Sequence, residues 1–404
     1  MPMEPILARE QLLEVGPEPS AIWNNIVDTA VHHQVSDVHL LAQKELDTLA
    51  FRVDGDLRKQ AEIPSDLGKR IIGHVKSISG MDVAEHRRPD EGRLKLEVSD
   101  RTVELRISVV PSLHGQDMVV RLFDRTVGLM DLPDLGLLDS QMDAVRDMID
   151  RPHGLMLVSG PTGSGKTTSL YAMLREIAGR DRKIVTIENP IEYDLKHVNQ
   201  TSINPRIGLG YADMLTALLR QDPDVIMVGE IRDTETAVTA VRAANTGHLV
   251  LATTHAARAS RAVETLLFLG VHPFFLATAL RCVMAQVLVK TICPECRTEL
   301  PETAEMIIEP KVRELVQEGE SAHLYQGSGC DACHQSGYQG RMGLFEVFVP
   351  DENIRRMILN RKPAAKLDKA IQQSETLSLS DVGMLAALRG RTTIEELVAE
   401  LPGL

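Results

Sequence analysis

The stretch Gly160-Pro161-Thr162-Gly163-Ser164-Gly165-Lys166-Thr167-Thr168 constrains the fold more than any other part of the chain. It matches the phosphate-loop pattern G-x-x-x-x-G-K-[ST], which works only between a strand and a helix. Both are predicted here. Residues 154–160 form a short apolar run that reads as a buried strand, and Leu170, Leu174 and Ile177 recur at helical spacing after the loop. Such a turn makes an anion cradle, because free backbone N–H groups and the helix dipole face the phosphates. In it Lys166 reaches the β- and γ-phosphates of a bound nucleotide, and the Thr167 hydroxyl ligates magnesium. The flanking strand and helix disfavour the alternative, a mere glycine turn.

Composition limits what surrounds this site. A length of 404 residues suits two or three domains. A net charge of −13, with no lysine- or arginine-rich run, argues against a nucleic-acid binder, which needs a dense basic surface. No apolar run approaches the roughly 18–20 residues of a membrane span. The N-terminus lacks a basic segment followed by an apolar core, so no signal peptide is expected. A cytosolic, reducing location follows, and the five cysteines are not read as disulfides.

Taken in order, residues 1–19 read as a loose lead-in, and Ser20 can cap a helix with Ile22, Trp23, Ile26, Val27 and Ala30 on one face. Leu49, Phe51 and Val53 alternate up to the hairpin signal Asp54-Gly55. A second helix fits Ser65 to Ile78. Alternation returns at Leu94 to Val98, Val103 to Val109 and Met118 to Leu122, which predicts a small α+β domain with an antiparallel sheet. Arg93, Arg106 and Arg121 fall opposite in phase to the apolar residues, so they point away from that core. They are either a solvated charged face or groups reaching a nucleotide held elsewhere. After a linker at 127–135, the runs 183–188, 224–230 and 248–254 are apolar and β-branched, as in strands buried on both faces of a parallel sheet. From about Pro350 the pattern turns helical, ending with Thr393 and Glu396 spaced as a capping box.

Ligands of open α/β sheets sit outside the carboxyl ends of the strands. By that rule Glu230, not Asp224, belongs to the magnesium side, and Glu188 and Glu192 are both candidates to orient or deprotonate the attacking water. His248 and His255 flank one strand at an odd offset, so at most one faces the site. Cys293, Cys296, Cys330 and Cys333 form two C-x-x-C knuckles separated by 33 residues. That spacing suits a closed, structural zinc site, the alternative being paired redox motifs or idle thiols. Cys282 stands alone on a stretch read as helical and buried.

In this order the motifs resemble the secretion ATPases that drive type II secretion and type IV pilus assembly. The resemblance runs from about Ser36 to Leu401. It rests on Ser36 to His39, Arg52 to Gly55, the phosphate loop, Thr186 to Tyr193, Leu219 to Asp224, Gly229 to Asp233, Thr246 to Val250, the cysteine knuckles and Gly340-Arg341. It implies an α/β chain with a PAS-like α+β domain over 20–126 and a RecA-like ATPase domain over 136–404. The latter takes in a tetracysteine zinc subdomain at 290–345 and a helical part at 350–404. It further implies a homo-hexameric ring using ATP, magnesium and zinc, at the cytoplasmic face of the inner membrane. The implied partners are an inner-membrane platform protein and a cytoplasmic docking protein. Glu192 matches the catalytic glutamate, Glu230 the Walker B acid, Arg106 and Arg121 the arginines approaching the phosphates, and His255 a histidine of the motor's His box. Asn189 stands where the family usually has aspartate, Val287 where it has arginine, and Thr254 and Ala256 depart from its usual His-box wording. Residues 1–19 are too short for the additional docking domain of longer members, so recruitment is expected to use another surface.

The expected function is ATP-driven assembly of pilin-like subunits. A retraction-type motor is the runner-up within the family, although its short members generally lack the tetracysteine module. A RecA-like nucleic-acid motor and a weakly hydrolysing nucleotide-binding scaffold are the alternatives from other classes.

Overall fold

The computed structural model describes residues 5–98, 101–124, 129–303, 310–316 and 323–401. The chain divides into two compact units. One comprises Met1–Gly128 with Cys293–Cys296 and Gly327–Gly340; the other comprises Leu129–Ile292, Arg297–Gln326 and Arg341–Leu404.

The N-terminal unit runs α1 (Arg9–Glu14), α2 (Pro19–His32), β1 (Asp37–Leu41), β2 (Leu46–Val53), β3 (Asp56–Pro64), α3 (Ser65–Ile78), β4 (Asp90–Val98), β5 (Arg101–Ser112) and β6 (Gly115–Asp124). The strands form one antiparallel sheet in the order β3-β2-β1-β6-β5-β4. Asp54 and Gly55 both take positive φ, 51° and 94°, as a two-residue hairpin turn requires. Trp23 and Ile26 of α2 and Ile71 and Val75 of α3 are buried with Phe51, Leu105, Ile107 and Val120 of the sheet. On the sheet's other face, direct cross-strand pairing aligns Arg93, Arg106, Arg121, Asp37 and Arg52 in one row. Like charges placed opposite repel. The row is accommodated by Arg121 donating to Asp37 at 2.8 Å and by the Arg106 guanidinium lying 4.0 Å from the centroid of the Phe123 ring.

Part of the expected lead-in is packed structure. Residues 9–14 are helical, with Leu12 fully buried and Leu7 3% exposed. The next helix starts two residues earlier than expected, at Pro19, with Glu18 rather than Ser20 in the capping position. Proline suits that first position because its missing N–H is unpaired there anyway.

The second unit begins with a 3-10 turn at Leu132–Leu135. It continues through α4 (Asp139–Asp150), β7 (Gly154–Ser159), α5 (Lys166–Ile177), β8 (Ile184–Glu188), β9 (Asn199–Ser202), α6 (Tyr211–Leu218), β10 (Val225–Val228), α7 (Thr234–Asn245), β11 (Leu249–Thr254), α8 (Ala259–Phe268), α9 (Pro273–Ala279) and β12 (Leu280–Ile292). There follow β13 (Arg297–Thr303), α10 (Pro310–Leu315), β14 (His323–Gly327), β15 (Tyr338–Phe348), α11 (Glu352–Leu359), α12 (Ala364–Gln372), α13 (Leu379–Leu388) and α14 (Ile394–Glu400). The main sheet has the order β15-β12-β7-β11-β10-β8-β9, and every pairing from β12 to β9 is parallel. Successive residues of a strand face opposite layers. Met156, Val158, Met227 and Leu251 pack with α4 and α5, while Leu155, Leu157, Ile226 and Val250 pack with α7, α8 and α9. Burial on both faces is why these strands are uninterrupted apolar runs.

Four expectations change. Cys282 is buried but lies on β12, not on a helix, because α9 stops at Ala279 and the β-branched run beyond it pairs with β7. Of the expected linker, Val127 and Gly128 lie outside the described residues, while Leu132 and Leu135 are buried in the second unit's core with α5. The cysteine knuckles group with the N-terminal unit rather than with the second one. There His334 packs its ring 5.1 Å from that of His33, and the Gly340 N–H donates to Asp54. Finally, Thr393 caps α14 by accepting the Glu396 N–H at 3.1 Å, but the Glu396 carboxylate turns to the Lys290 N–H and ammonium instead of closing a box.

If residues 9–14 are part of the folded unit, Leu12→Ala should destabilise it by about 2–5 kcal/mol, as for other buried leucines. Chemical denaturation checks this; an unchanged midpoint would return the segment to a loose lead-in.

Candidate active site

β7 ends at Ser159 and the chain turns through the phosphate loop into α5, whose first residue is Lys166. Two glycines are required here, one by contact and one by backbone conformation. A Cβ on Gly160 would stand 2.3 Å from the Gln286 carbonyl oxygen, and Gly165 has φ +83°. Gln286, buried on the neighbouring β12, donates its side-chain N–H to the Ser164 carbonyl at 2.5 Å. Lys166 donates to the carbonyls of Gly160 and Pro161, each at 2.8 Å. Burial lowers its pKa, and the nearby Glu230 carboxylate opposes that shift.

Glu230 follows the carboxyl end of β10. Its carboxylate lies 2.6 Å from Arg232 and 3.2 Å from the His255 ring, which follows the end of β11. Tyr211 sits close by, and its hydroxyl is pushed up by burial and then by Glu230. Asp224, by contrast, lies at the other end of β10 and accepts the Lys183 N–H at 2.7 Å. His248 is likewise at the far end, 3.0 Å from the Ala243 carbonyl. Asp224 and His248 thus lie at the opposite end of the sheet from Glu230 and His255. The Thr167 hydroxyl and the largely buried Glu230 carboxylate are hard oxygen donors of the kind magnesium takes.

The two glutamates after β8 differ sharply. Glu188 is 3% exposed and accepts hydrogen bonds from Tyr171, Thr186 and Gln200. Glu192 is only partly buried, on the loop that follows. Of the departures from the family pattern, Asn189 is exposed, and Val287 is buried with Leu344, Val382 and Ala386 in an apolar cluster. Arg106 and Arg121 belong to the N-terminal unit, on the arginine row described above. Tyr171, Tyr211 and the bond from Gln286 carry no sequence signal of their own, because periodicity marks buried positions and not the partner of a buried polar atom.

The Sγ atoms of Cys293, Cys296, Cys330 and Cys333 all lie within 4.8 Å of one another, with separations of 3.8 Å (293–330), 3.9 Å (296–333) and 3.7 Å (330–333). Four thiolates at the usual zinc–sulfur distance would be about 3.8 Å apart along the edges of a tetrahedron. The geometry is that of a closed zinc site and is far longer than a disulfide bond, about 2.05 Å. Burial raises the Cys293 thiol and pushes Cys296 up to about 12, whereas at Cys333 burial is outweighed by N–H donations from Cys330 and Gly337, which bring the thiol down to about 7, making it the ligand readiest to ionise. Metal analysis should find about one zinc per chain, as one four-ligand site predicts, and Cys296→Ser should release it. A zinc-free protein with unchanged thermal unfolding would contradict the assignment.

Residues 12–399 match the sequence profile of the type II/IV secretion system protein family. The type II secretion system ATPase E of Vibrio cholerae is 38% identical over 399 residues, covering 98% of this chain and 78% of that protein. The type IV pilus assembly ATPase PilB of Thermus thermophilus is 37% identical over 374 residues, 93% of this chain and 42% of that one. Among solved structures, the Legionella pneumophila ATPase DotB shares the fold with a TM-score of 0.68 at 20% identity, over 92% of this chain and 93% of DotB. The pilus retraction motor PilT with bound ADP has a TM-score of 0.62 at 26% identity, over 93% and 96% of the two chains. With its phosphate loop, Glu230 and His255 brought to one end of a parallel sheet, and with the family profile matched over residues 12–399, the chain belongs to the type II/IV secretion system protein family and is an ATPase.

Proposed function

We propose that this chain is the hexameric motor of a type II secretion or type IV pilus system, hydrolysing ATP to drive assembly of pilin or pseudopilin subunits. The observation that carries the reading is the meeting of Lys166, Glu230 and His255 at the carboxyl ends of β7, β10 and β11 in a chain 38% identical to a secretion ATPase. The assembly direction is favoured by identity, 37–38% to the secretion and pilus-assembly ATPases against 26% to the retraction motor.

In this reading the loop N–H groups and Lys166 bind the phosphates. Magnesium, held by Thr167 and Glu230, supplies positive charge against the phosphate oxygens when bound. Glu192 orients the attacking water and takes its proton. His255 holds the Glu230 carboxylate in place from 3.2 Å. Arg106 and Arg121 approach the phosphates in the assembled ring, where a well-placed arginine is worth roughly 10³–10⁵ in rate. The partners are further copies of the chain, an inner-membrane platform protein and a cytoplasmic docking protein. The work is done at the cytoplasmic face of the membrane; among the described residues no helix is long and apolar enough to cross it.

Replacement of the chain in its host by the Glu192→Gln variant tests the motor role. Extracellular fibres or secreted protein should be lost while the variant still accumulates and binds ATP. Normal assembly with the variant would overturn the reading.

A further inference from the structure

The loop that carries Glu192 is fastened from beneath by a buried polar network. Tyr171, on α5, is 2% exposed, and its hydroxyl hydrogen-bonds the Glu188 carboxylate at the end of β8. The Thr186 hydroxyl donates to the same carboxylate at 2.6 Å, and the Gln200 side chain of β9 donates to it at 3.0 Å. With three donors and almost no exposure, Glu188 is an anchor and not a group that meets water. The Tyr171 hydroxyl also accepts the backbone N–H of Glu192 at 3.3 Å. Burial, and then Glu188, push that hydroxyl's pKa far up, so it stays protonated and can donate to one partner while accepting from the other. Gln200 completes the tether, donating to the Tyr193 carbonyl at 2.9 Å and accepting the Leu195 N–H at 2.8 Å.

The place of Tyr171 on α5 gives the network its meaning. It follows Thr167 by four residues, so the two share one face of the helix that the phosphate loop opens. We infer that Tyr171 is a positioning residue: braced by Glu188, its hydroxyl fixes the Glu192 loop to the helix whose start holds the nucleotide's phosphates. The inference rests on the assignment of Glu192 as the base. It explains why the chain keeps two glutamates four residues apart in that stretch: one is buried and holds the loop, the other works at its surface. Nucleotide binding and the placing of the base then share one rigid element.

The test compares ATP affinity with turnover in the full chain. Tyr171→Phe keeps the ring and removes only the hydroxyl. It should bind ATP within about twofold of the parent, while kcat falls roughly ten- to a hundredfold, the scale of a catalytic group misplaced by about 1 Å. Introduced into Glu192→Gln, the same change should lower the residual rate no further. A Tyr171 that merely fills the core would leave kcat within about twofold of the parent. Seen beside an inactive Glu192→Gln, that result overturns the inference and leaves the base assignment standing; normal turnover in Glu192→Gln removes the base assignment itself. Gln200→Leu is the second arm should Tyr171→Phe fail to fold. It should give the same loss of kcat at unchanged affinity, and parental kcat there also overturns the inference.

Discussion

Parallel pairing of β8, β10, β11, β7 and β12 brings their carboxyl ends to one edge of the sheet. Because both faces of these strands are covered, only that edge and the loops leaving it are open to a ligand. The phosphate loop leaves β7 there, Glu230 leaves β10, His255 leaves β11 and the Glu188–Glu192 stretch leaves β8. Each residue is placed by the strand before it and steadied by a neighbour: Gln286 grips Ser164, Arg232 and His255 hold Glu230, and Tyr171 and Gln200 hold the acidic loop. The chemistry of the site is thus a consequence of sheet order more than of any single motif.

The N-terminal unit solves a different problem with the same rule of alternation. One face of its antiparallel sheet is sealed by α2 and α3; the other collects arginines into a row that pairing alone would make repulsive. Asp37, 4% exposed, lies between Arg121 and Arg52 and offsets part of that repulsion. A row of fixed positive charge is suited to meeting phosphate oxygens, although nothing in the unit itself requires that use. The cysteine cluster brings in chain from after β12 and before β15, closing with thiolates a region where Cys293, Cys296 and Cys333 are the buried residues of their own small cluster.

Much of this was legible in the sequence because it follows from period and composition. The α3 boundaries, the Asp54-Gly55 hairpin, the buried parallel strands and the phosphate loop all carry local signals. Glu230 could be separated from Asp224 because direction along a strand is known once the strand is. The rest depends on long-range partners. Leu12 and Leu13 lie in a stretch of prolines and acids with no clear period, so the burial of Leu12 does not show until the core that receives it is known. Cys282 lies in a run whose apolar residues fit helix and strand alike, and only the β7 edge decides between them. Tyr171 occupies a helical position that periodicity marks simply as core. Its hydroxyl bond to a carboxylate 17 residues away has no trace in that pattern. Glu396 has the spacing of a capping box, yet Lys290 is the stronger partner for its carboxylate.

We propose that these residues make an ATPase whose site is completed by a second copy of the chain. Magnesium-dependent ATP hydrolysis per chain, followed across protein concentration with Lys166→Ala as the blank, tests it most directly. Specific activity should rise with concentration and then level off as rings fill. Activity that stays proportional to protein down to the most dilute monomer, or that never exceeds the blank, would contradict it.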